Sequence, residues 1–94
     1  MDPVRNQSFI FYTYILKSEK SGKIYTGYTN NLRKRLVQHN QGESCYTKRD
    51  KPYSLIYYEA CLNEDDARAR EKYLKSGMGK RYINNRLKRF LSRV

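Results

Sequence analysis

The chain has 94 residues, which is long enough for one small domain and too short for two, so any site must be built from the walls of a single modest core. Twenty Lys and Arg residues against nine Asp and Glu give a formal charge of +11, which favours a polyanionic partner, nucleic acid ahead of an anionic membrane surface. No apolar run approaches the roughly 20 residues that a membrane span requires.

The N-terminal part of the chain predicts a short arm followed by a hairpin. Residues 1–8 are polar and are expected to form a flexible arm outside a single domain of residues 9–94. Residues 1–16 lack the pattern of a secretory signal, so a cytoplasmic or nuclear location is expected, with cytoplasmic preferred. Aromatic and β-branched residues predict a strand over 9–18, and a turn at Gly22 leads into a second strand over 23–29.

A helix, a loop and a third strand are predicted next. Asn30 or Asn31 can cap a helix that runs to Gly42, a natural stop. Residues 42–52 are polar and end in a proline, so they are expected to connect elements without packing. The stretch 53–60 has the composition of a strand. The cysteines, at 45 and 61, have neither metal-site spacing nor a disulfide-rich context, so both are interpreted as reduced thiols.

Two helices complete the predicted order. An acidic first turn begins a helix over 64–76, whose end is indicated by Gly77 and Gly79. The tail, 80–94, predicts an amphipathic helix with a basic outer face; its apolar residues are Ile83, Leu87, Phe90, Leu91 and Val94. The order β-β-α-β-α-α predicts an α+β fold, a small three-stranded antiparallel sheet flanked by helices.

Glu71 falls on the apolar stripe of the 64–76 helix, because Ala67, Glu71 and Leu74 are spaced at i, i+4 and i+7. An unpaired buried charge is strongly unfavourable, so this carboxylate needs a cation. An arginine or a divalent metal, which prefers oxygen ligands, would serve. The alternative is a solvated ion pair with one of three neighbouring cations, which are Arg68, Arg70 and Lys75.

Two tyrosines are expected to meet on the hairpin. Tyr14 shares its face of the first strand with Leu16, since side chains alternate, and a hairpin that sets residues 14 and 25 roughly opposite brings Tyr14 close to Tyr25. Half-buried filler is the ordinary interpretation of strand tyrosines.

Two polar side chains lie along the edge of the first helix's core face. Arg35 follows Leu32 by three residues and precedes His39 by four. A lone histidine is more often a surface or hydrogen-bonded structural residue than a catalyst.

Together these residues resemble the GIY-YIG endonuclease family, in particular its small single-domain bacterial members, which are similar to the N-terminal incision domain of the nucleotide-excision-repair nuclease. The resemblance runs from about Phe11 to Phe90. The Gly-Ile-Tyr signature reads YTY at 12–14 and retains Tyr14, while Tyr-Ile-Gly reads YTG at 25–27 and retains Tyr25 and Gly27.

Three further positions support the resemblance. Arg35 lies ten residues after Tyr25, where the family carries a helix arginine, and His39 lies four further on, where some members use a histidine. Glu71, four residues past Ala67, corresponds to the family's metal-binding glutamate. The resemblance therefore implies a catalytic set made of Tyr14, Tyr25, Arg35, His39 and Glu71.

Each member of this set has an implied role. Glu71 would bind one divalent cation, Mg²⁺ or Mn²⁺, and Tyr25, helped by Tyr14, would orient or deprotonate the attacking water. Arg35 would hold the scissile phosphate, and His39 would share proton transfer or orient that phosphate. The family's nicks leave 5′-phosphate and 3′-hydroxyl ends.

Contacts to nucleic acid are expected from glycine, asparagine and basic positions. Gly27 would leave the strand surface bare for a DNA backbone. Asn84 best matches a late asparagine of the family and Asn85 is second, while Tyr28 replaces a lysine of the repair nuclease, whose role does not transfer. The full expected set is Gly27, Arg33, Arg35, Asn84, Arg86, Lys88 and Arg89.

Two functional classes remain open. The first is a metal-dependent endonuclease for DNA, directed by DNA structure rather than sequence, in repair or recombination, with a protein partner for targeting and no small-molecule cofactor other than the metal. The second is a nucleic-acid-binding module of the same fold with little or no cleavage activity. A carboxylate on an apolar stripe favours the first, because a pure binder does not need it.

Overall fold

The computed structural model describes residues 10–44 and 47–92, so the predicted arm at 1–8 lies outside the described residues. The elements are β1 (Phe11–Ser18), β2 (Ile24–Thr29), α1 (Leu32–Asn40), β3 (Tyr53–Cys61), α2 (Glu64–Lys75), α3 (Gly77–Arg86) and α4 (Lys88–Leu91). The predicted α+β class and element order are confirmed, with one additional short helix at the end.

The sheet has the order β2-β1-β3, and both pairings are antiparallel. Tyr14 lies on the central strand, with Gly27 and Tyr58 as its two neighbours, and Tyr25 lies opposite Leu16. The expected pairing of residues 14 and 25 is therefore wrong by two positions. Because side chains alternate with a period of two, this offset keeps Tyr14 and Tyr25 on one face.

Helices cover both faces of the sheet. On the first face, Tyr14 and Leu16 pack with Tyr53 and with Leu32 and Leu36 of α1. On the second face, the central-strand residue Ile15 packs against Leu74 of α2 and Ile83 of α3. Both core clusters thus share β1, and Tyr14 belongs to the cluster on the α1 face.

The ends of α1 match the sequence expectations. The side chain of Asn31 caps the helix by accepting a hydrogen bond from the Lys34 N–H at 3.1 Å. Gly42 follows the helix at φ +78°, a conformation that suits glycine.

The junction between α2 and α3 differs from the prediction. Asn63 caps α2 and the helix ends at Lys75, but the glycines after it begin the next helix instead of a loop. Ser76 ends α2 and caps α3, accepting a hydrogen bond from the Gly79 N–H at 3.2 Å. A Cβ at Gly79 would lie 2.0 Å from the Tyr73 carbonyl oxygen, so this glycine permits the close approach of the two helices.

The prediction of a single helix over 80–94 is also wrong. It breaks at Leu87 into α3 and α4, and Phe90 is exposed with the Lys17 ammonium 5.9 Å from its ring centre. The predicted apolar position Val94 lies outside the described residues.

The described helices offer no segment with the length and apolar character to cross a membrane. Cys61 is a free thiol, whereas residue 45 lies outside the described part of the chain.

Candidate active site

The centre of the site is a hydrogen-bonded row of three buried side chains. The Tyr14 hydroxyl lies 2.9 Å from His39 Nε2, and His39 Nδ1 lies 2.7 Å from the Thr47 hydroxyl. Each member belongs to a different segment: β1, α1 and the loop after α1. The expectation that residues 42–52 do not pack is therefore wrong, because Thr47 is fully buried where it satisfies the histidine.

Arg35 lies beside this row and lowers the pKa of Tyr14, although burial has the larger, opposite effect. A neutral imidazole carries one ring proton, so His39 donates one of its two hydrogen bonds and accepts the other. The hydroxyls of Tyr14 and Thr47 suit either arrangement, because each can donate or accept.

Burial shifts the ionisation of Tyr14 and of His39 away from neutral pH. Burial raises the pKa of Tyr14 to about 12, despite the opposing effect of Arg35. Burial and the positive charge of Arg35 lower the pKa of His39 to about 4. Near neutral pH, both side chains are uncharged.

The burial of His39 corrects its expected role. Both ring nitrogens are engaged inside the protein and the side chain is 0% exposed, so it does not face a phosphate in this arrangement. It holds the Tyr14 phenol instead. The structural interpretation of a lone histidine applies here.

The second tyrosine and the arginine lie against this row. The Tyr25 ring is 4.8 Å from the His39 ring and 6.4 Å from the Tyr14 ring, measured between centres. Arg35 donates to Gln38 at 3.0 Å and interacts with both phenols, whose effect outweighs burial and raises the pKa of the guanidinium. A planar cation beside two phenols is suited to holding a phosphate.

Glu71 is half-buried on α2 and forms an ion pair with Lys75 at 3.0 Å, one of the three partners that the sequence left open. Its negative charge also contributes to the raised pKa of Tyr14, after burial and Tyr25 among the raising effects. The carboxylate on the helix and the phenol on the central strand are therefore electrostatic neighbours.

The role of Gly27 in the structure differs from the expected one. A Cβ at this position would lie 2.6 Å from the Tyr14 hydroxyl oxygen and 3.1 Å from the Tyr25 ring. The space left by the missing side chain is filled by Tyr14, and Gly27 itself is buried. The glycine lets the phenol cross the edge strand; it does not leave room for a DNA backbone.

A groove of about 560 Å³ lies between β2 and the α2–α3 pair, next to Tyr25. Three lysines line it, namely Lys23, Lys75 and Lys80, and we call it the lysine groove. Asn84 lines it as well, whereas Asn85 does not. The geometry therefore favours Asn84 over Asn85 as the asparagine nearest the site.

The other expected nucleic-acid contacts lie outside the tyrosine cluster. Arg33 is exposed on α1, and three basic residues are exposed at the end of α3 and on α4, namely Arg86, Lys88 and Arg89. The contacts of the described residues join none of these four to Tyr14 or Tyr25.

The donor set fits a divalent cation held by one carboxylate. Within 10–44 and 47–92 there is no cluster of three His, Cys, Asp or Glu residues. Glu71 already holds a cation, the Lys75 ammonium, and an oxygen ligand of this kind suits Mg²⁺, which commonly keeps several waters beside one or two carboxylates.

Sequence reasoning missed Thr47, which gives no signal in a polar loop. It also missed Asn40, whose side chain bonds both backbone groups of Tyr53, at 2.6 and 3.1 Å, and so ties α1 to the start of β3. No spacing rule on one helix reveals a contact with a strand 13 residues away.

The chain matches a known protein family over most of its length. A family model described as the GIY-YIG catalytic domain matches residues 10–90. A UPF0213 protein of Clostridium perfringens is 46% identical over 65 residues, which cover 68% of this chain and 69% of that protein. One of Pediococcus acidilactici is 37% identical over 81 residues, covering 80% and 82% respectively.

A solved structure shows the same fold. The solution NMR structure of a UPF0213 protein from Bacillus halodurans has a TM-score of 0.51 and 29% identity, covering 81% of this chain and 83% of that one. The matched family segment contains both tyrosines, Arg35 and Glu71. The chain therefore belongs to the GIY-YIG family of nucleases, and among its relatives are the UPF0213 proteins.

Proposed function

We propose that this protein is a divalent-metal-dependent endonuclease that hydrolyses DNA phosphodiester bonds. The observation that carries the proposal is the convergence at Tyr14, whose pKa responds to Tyr25, Arg35 and Glu71 together. A guanidinium, a second phenol and a carboxylate thus each act on the Tyr14 phenol, which supports a shared site. This combination suits phosphodiester hydrolysis, which needs a positioned water and stabilised charge on the phosphate oxygens.

The roles divide according to ionisation. Burial raises the pKa of Tyr14 to about 12, so this phenol stays protonated near neutral pH and serves as a fixed hydrogen-bonding group. Tyr25 is then the phenol left to orient the attacking water. Arg35 holds the scissile phosphate from the α1 side, and His39 acts only through Tyr14 by fixing its hydroxyl.

Glu71 would hold the cation, with Mg²⁺ or Mn²⁺ as the proposed ion. A divalent ion supplies positive charge beside the phosphate oxygens as negative charge develops there. The lysine groove beside Tyr25 would accept the adjoining DNA backbone, and Asn84 lies on its wall. The small surface favours recognition of DNA structure over sequence, as in repair or recombination.

Nicking of supercoiled and branched DNA tests the proposal. We expect nicks with Mg²⁺ or Mn²⁺, none with a chelator, and a higher rate on branched DNA than on intact linear duplex. Tyr25→Phe should abolish nicking, while Tyr28→Phe, which removes a neighbouring phenol on the same strand, should keep it. Nicking that persists in Tyr25→Phe would reject the assigned role.

The ion pair with Lys75 is the observation that favours a second candidate, a DNA-binding module without cleavage. In that case the ammonium is the permanent partner of Glu71. Salt-sensitive DNA binding with no nicking in either metal would support the module.

A further inference from the structure

A second groove, separate from the lysine groove, lies on the α1 side of the sheet and has a volume of about 660 Å³. We call it the tyrosine groove, because Tyr12 and Tyr58 form one wall and the start of α1, with Arg33, forms the other. None of the catalytic roles assigned above uses it.

Two aromatic rings in this groove are at least partly exposed to solvent. Tyr12 and Tyr58 meet edge to face, with ring centres 5.8 Å apart, and Tyr58 is 53% exposed. A ring of this size that remains half in solvent, next to apolar side chains of α1, offers a face for another flat group.

The polar lining is suited to a nucleotide. Arg33 is exposed at the wall, and no ion pair between described residues engages its guanidinium. Asn30 contributes an exposed amide that can both donate and accept hydrogen bonds. The groove is lined by no carboxylate, so its field is positive, as a polyanion requires.

The groove lies on the same face of the sheet as Tyr14. Tyr12 lies two residues before Tyr14 on the same face of β1, which is about 7 Å along a strand, and Tyr58 lies directly beside Tyr14 on β3. Arg33 lines the groove and Arg35 does not, because residues two apart on a helix point to different sides of it. A base in the groove would therefore lie beside Arg33.

We propose that the tyrosine groove binds an unpaired base of single-stranded DNA, stacked on Tyr58 with its phosphate near Arg33. Bases inside a duplex have no free face, so the groove selects DNA with a single-stranded segment. This inference rests on the proposed nuclease function, since it names the form of DNA that the site prefers.

Binding measured in a chelator tests the groove without any need for cleavage. The probes are a short single strand containing 2-aminopurine, whose fluorescence is quenched by stacking, and a blunt duplex of the same sequence. Loss of the Tyr58 ring in Tyr58→Ala should weaken single-strand binding about tenfold and remove the quenching, because one base stacked on an aromatic ring contributes about that factor. Duplex binding should stay within about twofold, since it depends on charge.

Two variants control for folding and for general aromatic loss. Tyr58→Phe keeps the ring and should bind like the unaltered protein. Phe90→Ala removes another exposed aromatic ring, on α4, and should change the binding of neither the single strand nor the duplex.

The outcomes separate this inference from the nuclease proposal. Quenching that persists in Tyr58→Ala, or equal losses for single strand and duplex, would overturn the groove while leaving nicking untouched. Tyr58-dependent quenching in a protein that never nicks DNA would support the groove and count against the nuclease.

Discussion

Gly27 shows how a single residue shapes the site, because its missing side chain leaves space for the Tyr14 phenol. The Tyr14 phenol crosses the edge strand over this glycine, and a methyl group there would lie 2.6 Å from the phenol oxygen. Tyr14 is also held by His39, so it cannot move aside without breaking a buried hydrogen bond.

Gly27→Ala should therefore displace Tyr14, abolish nicking and destabilise the fold by about 1–3 kcal/mol, the usual range for overpacking. Urea denaturation measures the change in stability, and nicking of supercoiled DNA measures the change in activity. Gly77→Ala is the matched control, because a Cβ there meets nothing within 4 Å, and it should be neutral or slightly stabilising. An active, fully stable Gly27→Ala variant would contradict the crossing of Tyr14 over this strand.

His39, the only histidine in the chain, gives the protein a defined pH response. Burial first, then Arg35, lowers its pKa to about 4, against about 6.5 when unfolded. The unfolded chain binds the proton more readily, so stability is complete above about pH 6.5 and falls as pH drops towards 4.

Below about pH 4, the loss in the free energy of unfolding should reach roughly 3 kcal/mol. Urea midpoints measured between pH 7.5 and about pH 4.5 show where this loss of stability begins, and His39→Gln serves as the comparison. That variant should be less stable at pH 7 but should lack the histidine-dependent slope. A midpoint constant from pH 7 to 5 in the unaltered protein would contradict a depressed histidine pKa.

Among single residues, the sequence predicted the types that gather in the site but not all their roles. Tyr14, Tyr25 and Arg35 are close together as expected, because strand alternation and helix periodicity fix which way side chains point. The partnership of His39 with Thr47 could not be predicted, since it depends on a loop path that has no periodicity.

At the scale of elements, one cluster ties β3, α2 and α3 together. Arg70 makes two hydrogen bonds to the Glu59 carboxylate, at 2.8 and 3.0 Å, and its guanidinium lies about 5 Å from the ring centres of Tyr73 and Tyr82. Arg70 therefore joins the sheet to both helices on the face opposite α1.

Arg70→Lys keeps the charge but loses the paired hydrogen bonds and the planar stacking. We expect the free energy of unfolding to fall by about 1–2 kcal/mol, since the pair is partly exposed. Chemical denaturation measures this loss, and Arg81→Lys, at an exposed position on α3, should have almost no effect. Equal stability of the two variants would mean that the cluster does not hold the helices.

Element types were predictable, whereas the α2–α3 junction and the tail were not. Glycines usually mark helix ends, but Ser76 caps α3 so closely that both glycines fall in its first turn. The apolar spacing of the tail continues past Leu87, so periodicity alone gives no reason for the break there.

For the whole molecule, the charge of +11 and the two grooves describe how DNA would be held. Affinity should come mainly from counterion release by exposed Lys and Arg side chains, whereas hydrolysis should depend on the few groups around Tyr14. Affinity and rate should therefore respond to different substitutions.

The most direct test measures nicking rate and DNA affinity side by side for Glu71→Ala. With Mg²⁺ present, we predict a rate at least about 100-fold lower, as expected when a group supporting transition-state charge is lost, and a dissociation constant within about twofold of the original. Glu19→Ala, at an exposed carboxylate in the β1–β2 turn, should change neither quantity. Nicking by Glu71→Ala at the original rate would contradict a site built around this carboxylate.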